Sequence, residues 1–204
     1  MRLNQLPDRL IRKIRARTNG DKKPLSQKEK WETIDHVRKT YQVAALVESG
    51  TFLGDTVNYF KDKFEQVYSI ELQRDLHEAA RQRFSASRNI SLIYGDSGQM
   101  MKEVLCQLSG PALFWLDGHY SSEFWVDGEF IRTARGEKDT PIENELESIL
   151  TRTVQHIILI DDARLFGIAK DYPSLGRIRK VVRRLKPSYG VRLIGDIIAI
   201  LPRA

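Results

Sequence analysis

From residue 43 onward, short apolar runs alternate with amphipathic stretches at a regular interval. The runs at 44–48, 66–71, 90–94, 112–116 and 156–161 have the length and near-continuous apolar character of strands buried on both faces. Between them, 54–63, 73–86, 97–109 and 141–152 repeat their apolar positions at helical spacing, and a basic helix is predicted at 174–186. The chain closes on 191–194, a Gly195-Asp196 turn and 197–201, which read as a hairpin that gives the sheet an antiparallel member. Strands alternating with helices predict an α/β fold, a doubly wound and mostly parallel sheet.

The first 40 residues follow another pattern. Leu3, Leu6, Leu10, Ile11 and Ile14 recur at helical spacing, with Pro7 and Asp8 suited to the first turn. Arg9, Arg12, Lys13, Arg15 and Arg17 supply the polar face. Asn19-Gly20-Asp21 ends this helix, a Lys/Pro/Ser linker runs to about Gln27, and a second helix is expected at 29–40. The chain therefore divides into a basic helical extension, 1–40, and a main domain, 41–204.

Charge sharpens that division. The net charge is +6, yet residues 1–40 hold 12 Lys and Arg against 5 Asp and Glu, while 41–204 hold 21 against 22. A near-neutral main body argues against a nucleic-acid partner. A basic amphipathic helix at 1–17 suits peripheral contact with an anionic membrane or an acidic partner; packing on its own domain or on a second copy, in a homo-oligomer, is the other reading. No apolar run reaches the roughly 18 residues of a membrane span, and no apolar block follows the N-terminal basic residues as in a secretory signal. The single cysteine, Cys106, cannot form a disulfide within the chain and is expected to be buried in the 97–109 helix. A cytoplasmic protein, with membrane association through the basic helix as the variant, is the expectation.

Candidate chemistry lies at the strand ends, where open parallel sheets bind ligands. The first strand runs into Glu48-Ser49-Gly50-Thr51-Phe52-Leu53-Gly54. Two glycines allow close backbone approach to a ligand, but Glu48 stands where a dinucleotide motif has its first glycine. A carboxylate there repels a pyrophosphate and suits the cationic amino group of an aminoacyl ligand. The second strand ends in Glu71, about 20 residues past the glycine loop, the place of a carboxylate that accepts ribose hydroxyls. After the third strand, Gly95-Asp96-Ser97 brings a carboxylate and a helix N-terminus to where an adenine edge can be met.

Glu48-x-Gly50-x-x-x-Gly54, Glu71 and Asp96 together resemble the successive cofactor motifs of class I S-adenosylmethionine (SAM)-dependent methyltransferases. The resemblance covers roughly residues 30–204. It implies a Rossmann-like, seven-stranded sheet with an antiparallel last strand. It further implies the methionine part of SAM at Glu48, Gly50, Thr51 and Gly54, the ribose at Glu71, and the adenine at Asp96 and Ser97, with Asp117 beside the cofactor.

The fourth strand runs into Asp117-Gly118-His119-Tyr120 and the fifth into Asp161-Asp162. Adjacent carboxylates repel, and burial without compensation is costly, so something positive is expected among them. A divalent cation such as Mg²⁺ is one answer. The arrangement resembles the metal-dependent O-methyltransferases of the catechol and macrolide-sugar kind, which implies Asp117, Asp161 and Asp162 as metal ligands. Bound to a substrate hydroxyl, such an ion lowers the hydroxyl pKa. His119 is a candidate general base, where the catechol enzyme has a lysine. Asp161 or Asp162 capping a helix is the alternative for those positions.

The stretch 121–140, with Phe124, Trp125 and Phe130 among charged residues, reads as a substrate lid or an oligomer contact. Glu143 and Glu145 after it could reach the site, but a solvated helix face is the expectation for both; Arg177, Arg179, Lys180, Arg183, Arg184 and Lys186 could meet an anionic substrate or nucleic acid, but a solvated face is again the expectation. His36, His77 and His156 read as structural. The expected activity is methyl transfer from SAM to a hydroxyl of a small or glycan-like molecule, assisted by a divalent cation. Two alternatives stay open: a metal-free N- or O-methyltransferase, on RNA for instance, and a non-catalytic module docking through its basic helix.

Overall fold

The structure is a computed structural model; it describes residues 24–118 and 139–203, together with the backbone of two strands at 123–126 and 129–132. The elements, in order, are α1 (Gln27–Tyr41), β1 (Ala45–Ser49), α2 (Asp55–Phe60), β2 (Gln66–Glu71), α3 (Arg74–Arg83), β3 (Ile90–Tyr94), α4 (Ser97–Gln107) and β4 (Ala112–Leu116). They continue with β5 (Glu123–Val126), β6 (Glu129–Arg132), α5 (Ile142–Leu150), β7 (Ile157–Ile160), α6 (Leu175–Leu185), β8 (Tyr189–Ile194) and β9 (Ile197–Pro202).

Seven strands form one sheet in the order β3-β2-β1-β4-β7-β9-β8. β3, β2, β1, β4 and β7 run parallel, and β9 is antiparallel to both β7 and β8. The doubly wound sheet with an antiparallel closing strand is as expected. Strand alternation explains why its strands read as unbroken apolar runs. Phe114 and Leu116 face one buried cluster with Val47, Ile158 and Ile160, while Leu113 and Trp115 face the other with Leu46, Ile157 and Leu159. α4, α5 and α6 cover the first face; α1, α2 and α3 cover the second.

α1 belongs to this core. Ser26 and Glu29 form a reciprocal capping box that starts it. Ile34 and Val37 then insert beside Phe60, Phe64 and Leu113. Residues 27–41, grouped by charge with the N-terminal extension, thus pack as a covering helix of the sheet.

Two further expectations are corrected. Cys106 is exposed, because the buried face of α4 is set by Met101, Val104 and Leu105 and the next position turns away from it; its Sγ accepts a long hydrogen bond from Arg152 Nη2 (3.6 Å). The stretch expected as a loop at 121–140 contains an antiparallel pair, β5 with β6. The basic helix at 1–17 and the side chains of the lid lie outside the described residues. No helix among the described residues is long and apolar enough to cross a membrane.

Candidate active site

β1 lies between β2 and β4, so the connections leaving β1 and β3 travel to opposite sides of it. Such a reversal opens a crevice beyond the strand ends. The turn after β1 fills one wall of it. Gly50 has φ +84°, and a Cβ there would sit 2.9 Å from the carbonyl oxygen of Asp117, so the backbones at the ends of β1 and β4 touch through glycine. The contact is stitched by Asp117 N–H donating to Ser49 O (3.1 Å) and Gly118 N–H to Ser49 Oγ (3.3 Å). Gly54, also left-handed, starts α2.

Two carboxylates flank this turn. Glu48 is almost fully buried and accepts a hydrogen bond from Ser69 Oγ (2.6 Å); Ser69 Oγ is also 2.7 Å from Thr51 Oγ1. Burial pushes the Glu48 carboxyl up to about 8, against the Ser69 and Thr56 hydroxyls that hold its charged form. Glu71 is buried at the end of the neighbouring strand. Its Oε2 accepts from Phe52 N–H and its Oε1 from Gln73 N–H, each at 2.8 Å, fastening the glycine turn to β2. Burial raises its pKa while those backbone donors lower it. An ionised carboxylate has about four acceptor sites, so two backbone donors leave room for ligand hydroxyls.

Asp96 is the N-cap of α4, with Oδ1 accepting from Gly98 N–H (2.8 Å). Ser97 is buried beside it, and the Ser97 and Ser49 hydroxyls favour the charged form of Glu145 against the effect of burial. Glu145 is the residue whose importance the sequence reading missed. It is 1% exposed, its Oε1 has no hydrogen-bond partner among the described residues, and burial pushes it up to about 7. It lines a narrow cleft with Asp117, Thr140, Asp161, Phe166 and Tyr172. A signal existed: Glu145 falls three residues after Ile142 and four before Ile149, on the buried stripe of α5. Glu143 stays at the surface in an ion pair with Arg177, as expected.

Asp161 and Asp162 follow β7. Asp161 Oδ1 accepts the Asp162 N–H (2.8 Å), and its Oδ2 takes the ammonium of Lys30, from α1. Asp162, at φ +56°, accepts from Arg164 Nη1 (2.5 Å), which also bridges to Asp196. Asp162 precedes a short 3₁₀ turn without capping it through its side chain, which removes the capping alternative for that residue. Phe52, on the other side of the crevice, shares the left-handed backbone at φ +50°. His119 lies outside the described residues. His156 is structural: buried, accepting from Ala112 N–H (3.2 Å) and pushed down to about 4 by burial and nearby Lys186.

No protein-family model matches the sequence, and no curated protein matches it. Solved structures do match the fold. The SAH-bound methyltransferase PaMTH1 of Podospora anserina aligns at 17% identity and TM-score 0.55, over 98% of this chain and 89% of its own. The O-methyltransferase TomG from Streptomyces achromogenes, in complex with SAM, aligns at 14% and 0.56, over 99% and 92%. An O-methyltransferase from Bacillus cereus in complex with SAH aligns at 11% and 0.56, over 97% and 93%. The fold is that of the SAM-dependent methyltransferases. Within this methyltransferase fold, the Gly50 close approach and the buried hydroxyl-lined Glu48 suit an aminoacyl ligand, and Glu71 a ribose.

The described residues at the ends of β4 and β7 fit a divalent ion poorly. Among the described residues, no three His, Cys, Asp or Glu side chains are grouped so as to hold a metal. Both oxygens of Asp161 already accept N–H donors, and Asp162 faces Arg164. Oxygen ligands of a hard cation need lone pairs converging on one point.

Proposed function

We propose that this chain transfers the methyl group of SAM to a hydroxyl oxygen of a small or glycan-like acceptor, without a divalent ion. The observation that carries the reading is the pair of buried carboxylates, Glu48 and Glu71, on adjacent parallel strand ends around Gly50 at the reversal of strand order. Glu48 receives the amino group of the cofactor. Gly50, Thr51 and Gly54 shape the turn around its methionine part, and Glu71 takes the ribose hydroxyls. Asp96, Ser97 and Asp117 complete the cofactor wall.

The acceptor oxygen then meets the methyl carbon in the cleft between β4 and β7. The O–C bond forms as the C–S bond breaks, the electron pair of that bond stays on sulfur, and SAH leaves. The hydroxyl proton passes to a base, for which His119 is the proposed residue. Positioning in line supplies most of the rate. The likeness to TomG and the Bacillus cereus protein, both O-methyltransferases, supports oxygen as the nucleophile.

Calorimetric titration with SAH, beside Glu71→Ala, tests the reading. Micromolar binding that the variant loses is expected. Absence of binding by folded wild-type protein would overturn it.

A further inference from the structure

The carboxylates at the ends of β4 and β7 require positive charge, and α1 delivers it from 131 positions earlier in the chain. The phase of α1 is set by Ile34 and Val37, which point into the core. Gln27, Lys30 and Trp31 lie one to two turns before Ile34 on that same inward side. Trp31 stacks on Tyr59 with ring centroids 4.5 Å apart, and Trp31 Nε1 and Gln27 Nε2 each donate to Thr56 Oγ1 at 3.3 Å. Lys30 is thereby held over the crevice, its side chain 15% exposed. Its ammonium contacts Asp161 Oδ2 and lies 3.9 Å from Asp162 Oδ1.

Burial works against the Lys30 charge, but Asp161, Asp117 and Asp162 outweigh it and hold the ammonium above its ordinary pKa. A lysine buried without such partners would shed its proton. On the acid side, burial and Asp117 push Asp161 up, and Lys30 opposes them. Arg164 serves Asp162 and Asp196 in the same way.

We infer that Lys30 is the resident cation of the acceptor site, supplying through its contacts with Asp161 and Asp162 the positive charge that the carboxylates at the ends of β4 and β7 require. The name "acceptor site" rests on the methyltransferase reading; the charge compensation does not. Lys30 is then a positioning residue. It keeps the carboxylate cluster compact and sets a fixed positive charge near the oxygen that loses its proton, where preorganised charge is most effective.

Manganese titration of metal-stripped full-length protein, followed by the electron paramagnetic resonance of the free ion, tests this. Wild-type protein at equimolar ion is expected to leave the free-ion signal unchanged. Lys30→Ala is expected to quench it, because carboxylates that lose their fixed counter-charge draw in Mn²⁺, and Lys30→Gln, which keeps a polar side chain one atom shorter and removes the charge, to do the same. Lys30→Arg, which keeps the charge, should remain silent. Quenching by wild-type protein that disappears in Asp161→Ala would overturn the inference. So would folded Lys30→Ala and Lys30→Gln proteins that leave the signal as wild type does. SAH titrations run in parallel separate the two readings: wild-type protein that ignores both Mn²⁺ and SAH sinks the methyltransferase reading alone. Wild-type protein that binds both sinks the Lys30 assignment alone.

Discussion

The two walls of the crevice handle buried acid by opposite means. On the wall made by β1 and β2, Glu48 and Glu71 are matched by hydroxyls and backbone N–H groups from within about 20 residues, with no cation among the described residues touching either. On the wall made by β4 and β7, Asp161 and Asp162 are matched by Lys30 and Arg164, full charges that include one from a distant helix. Neutral donors leave a carboxylate able to change its protonation when a cation arrives. A fixed ion pair already has its counter-charge in place. The first wall is suited to receiving a positively charged cofactor, and the second to staying unchanged while it works.

The contrast is most severely tested at Gly50. Gly50→Ala places a methyl group 2.9 Å from a backbone oxygen at φ +84°, which neither strand end can relieve. Calorimetry is expected to find SAH binding abolished while the fold persists; retained affinity would mean the close approach does not shape the pocket. Lys30→Ala attacks the other wall and leaves Asp161 buried beside Asp117. Urea unfolding should show a loss of about 3 kcal/mol. SAH affinity should stay within about threefold, because the damage lies on the wall away from the cofactor.

Glu145 gives a smaller effect with a definite sign. Its pKa rises from 4.5 unfolded to about 7 folded, so the stability it contributes is full below pH 4.5 and lost as the pH rises through 7. Glu145→Gln is therefore expected to stabilise the protein at pH 8 by about 2 kcal/mol and to change little at pH 4.5. Destabilisation at pH 8 would show that the carboxylate form has a partner of its own.

The mildest test reads Glu48. With its carboxyl at about 8, ligand-free protein at pH 7 holds it mostly neutral, and a bound ammonium favours the charged form. SAH binding should then release a proton, and affinity should climb by at most about tenfold per pH unit up to pH 8, then level off. Calorimetry in two buffers of different ionisation enthalpy measures the release, which Glu48→Gln should remove.

How far the sequence could be read follows the same contrast. The cofactor wall was legible because its parts are local: each carboxylate ends an apolar strand, and strand order follows from the alternation of strands and helices. The parallel strands were found within a residue or so of their observed ends for the same reason. The carboxylates at Asp117, Asp161 and Asp162 were legible, and so was their need for positive charge. The source of that charge was not, since nothing local joins Lys30 to Asp161. Glu145 was misjudged by residue type, although its spacing against Ile142 and Ile149 placed it inward. Pairing of β5 with β6 was hidden by a charged stretch without a clean alternation.

Phe52 and Asp162 stand on opposite walls with left-handed backbones that glycine would adopt freely. For an L-residue that conformation costs about 1–2 kcal/mol. Glycine at both positions would relieve that cost and forfeit one aromatic ring and one carboxylate. The two bends therefore hold the crevice open to a ring and a carboxylate at the expense of an easier backbone.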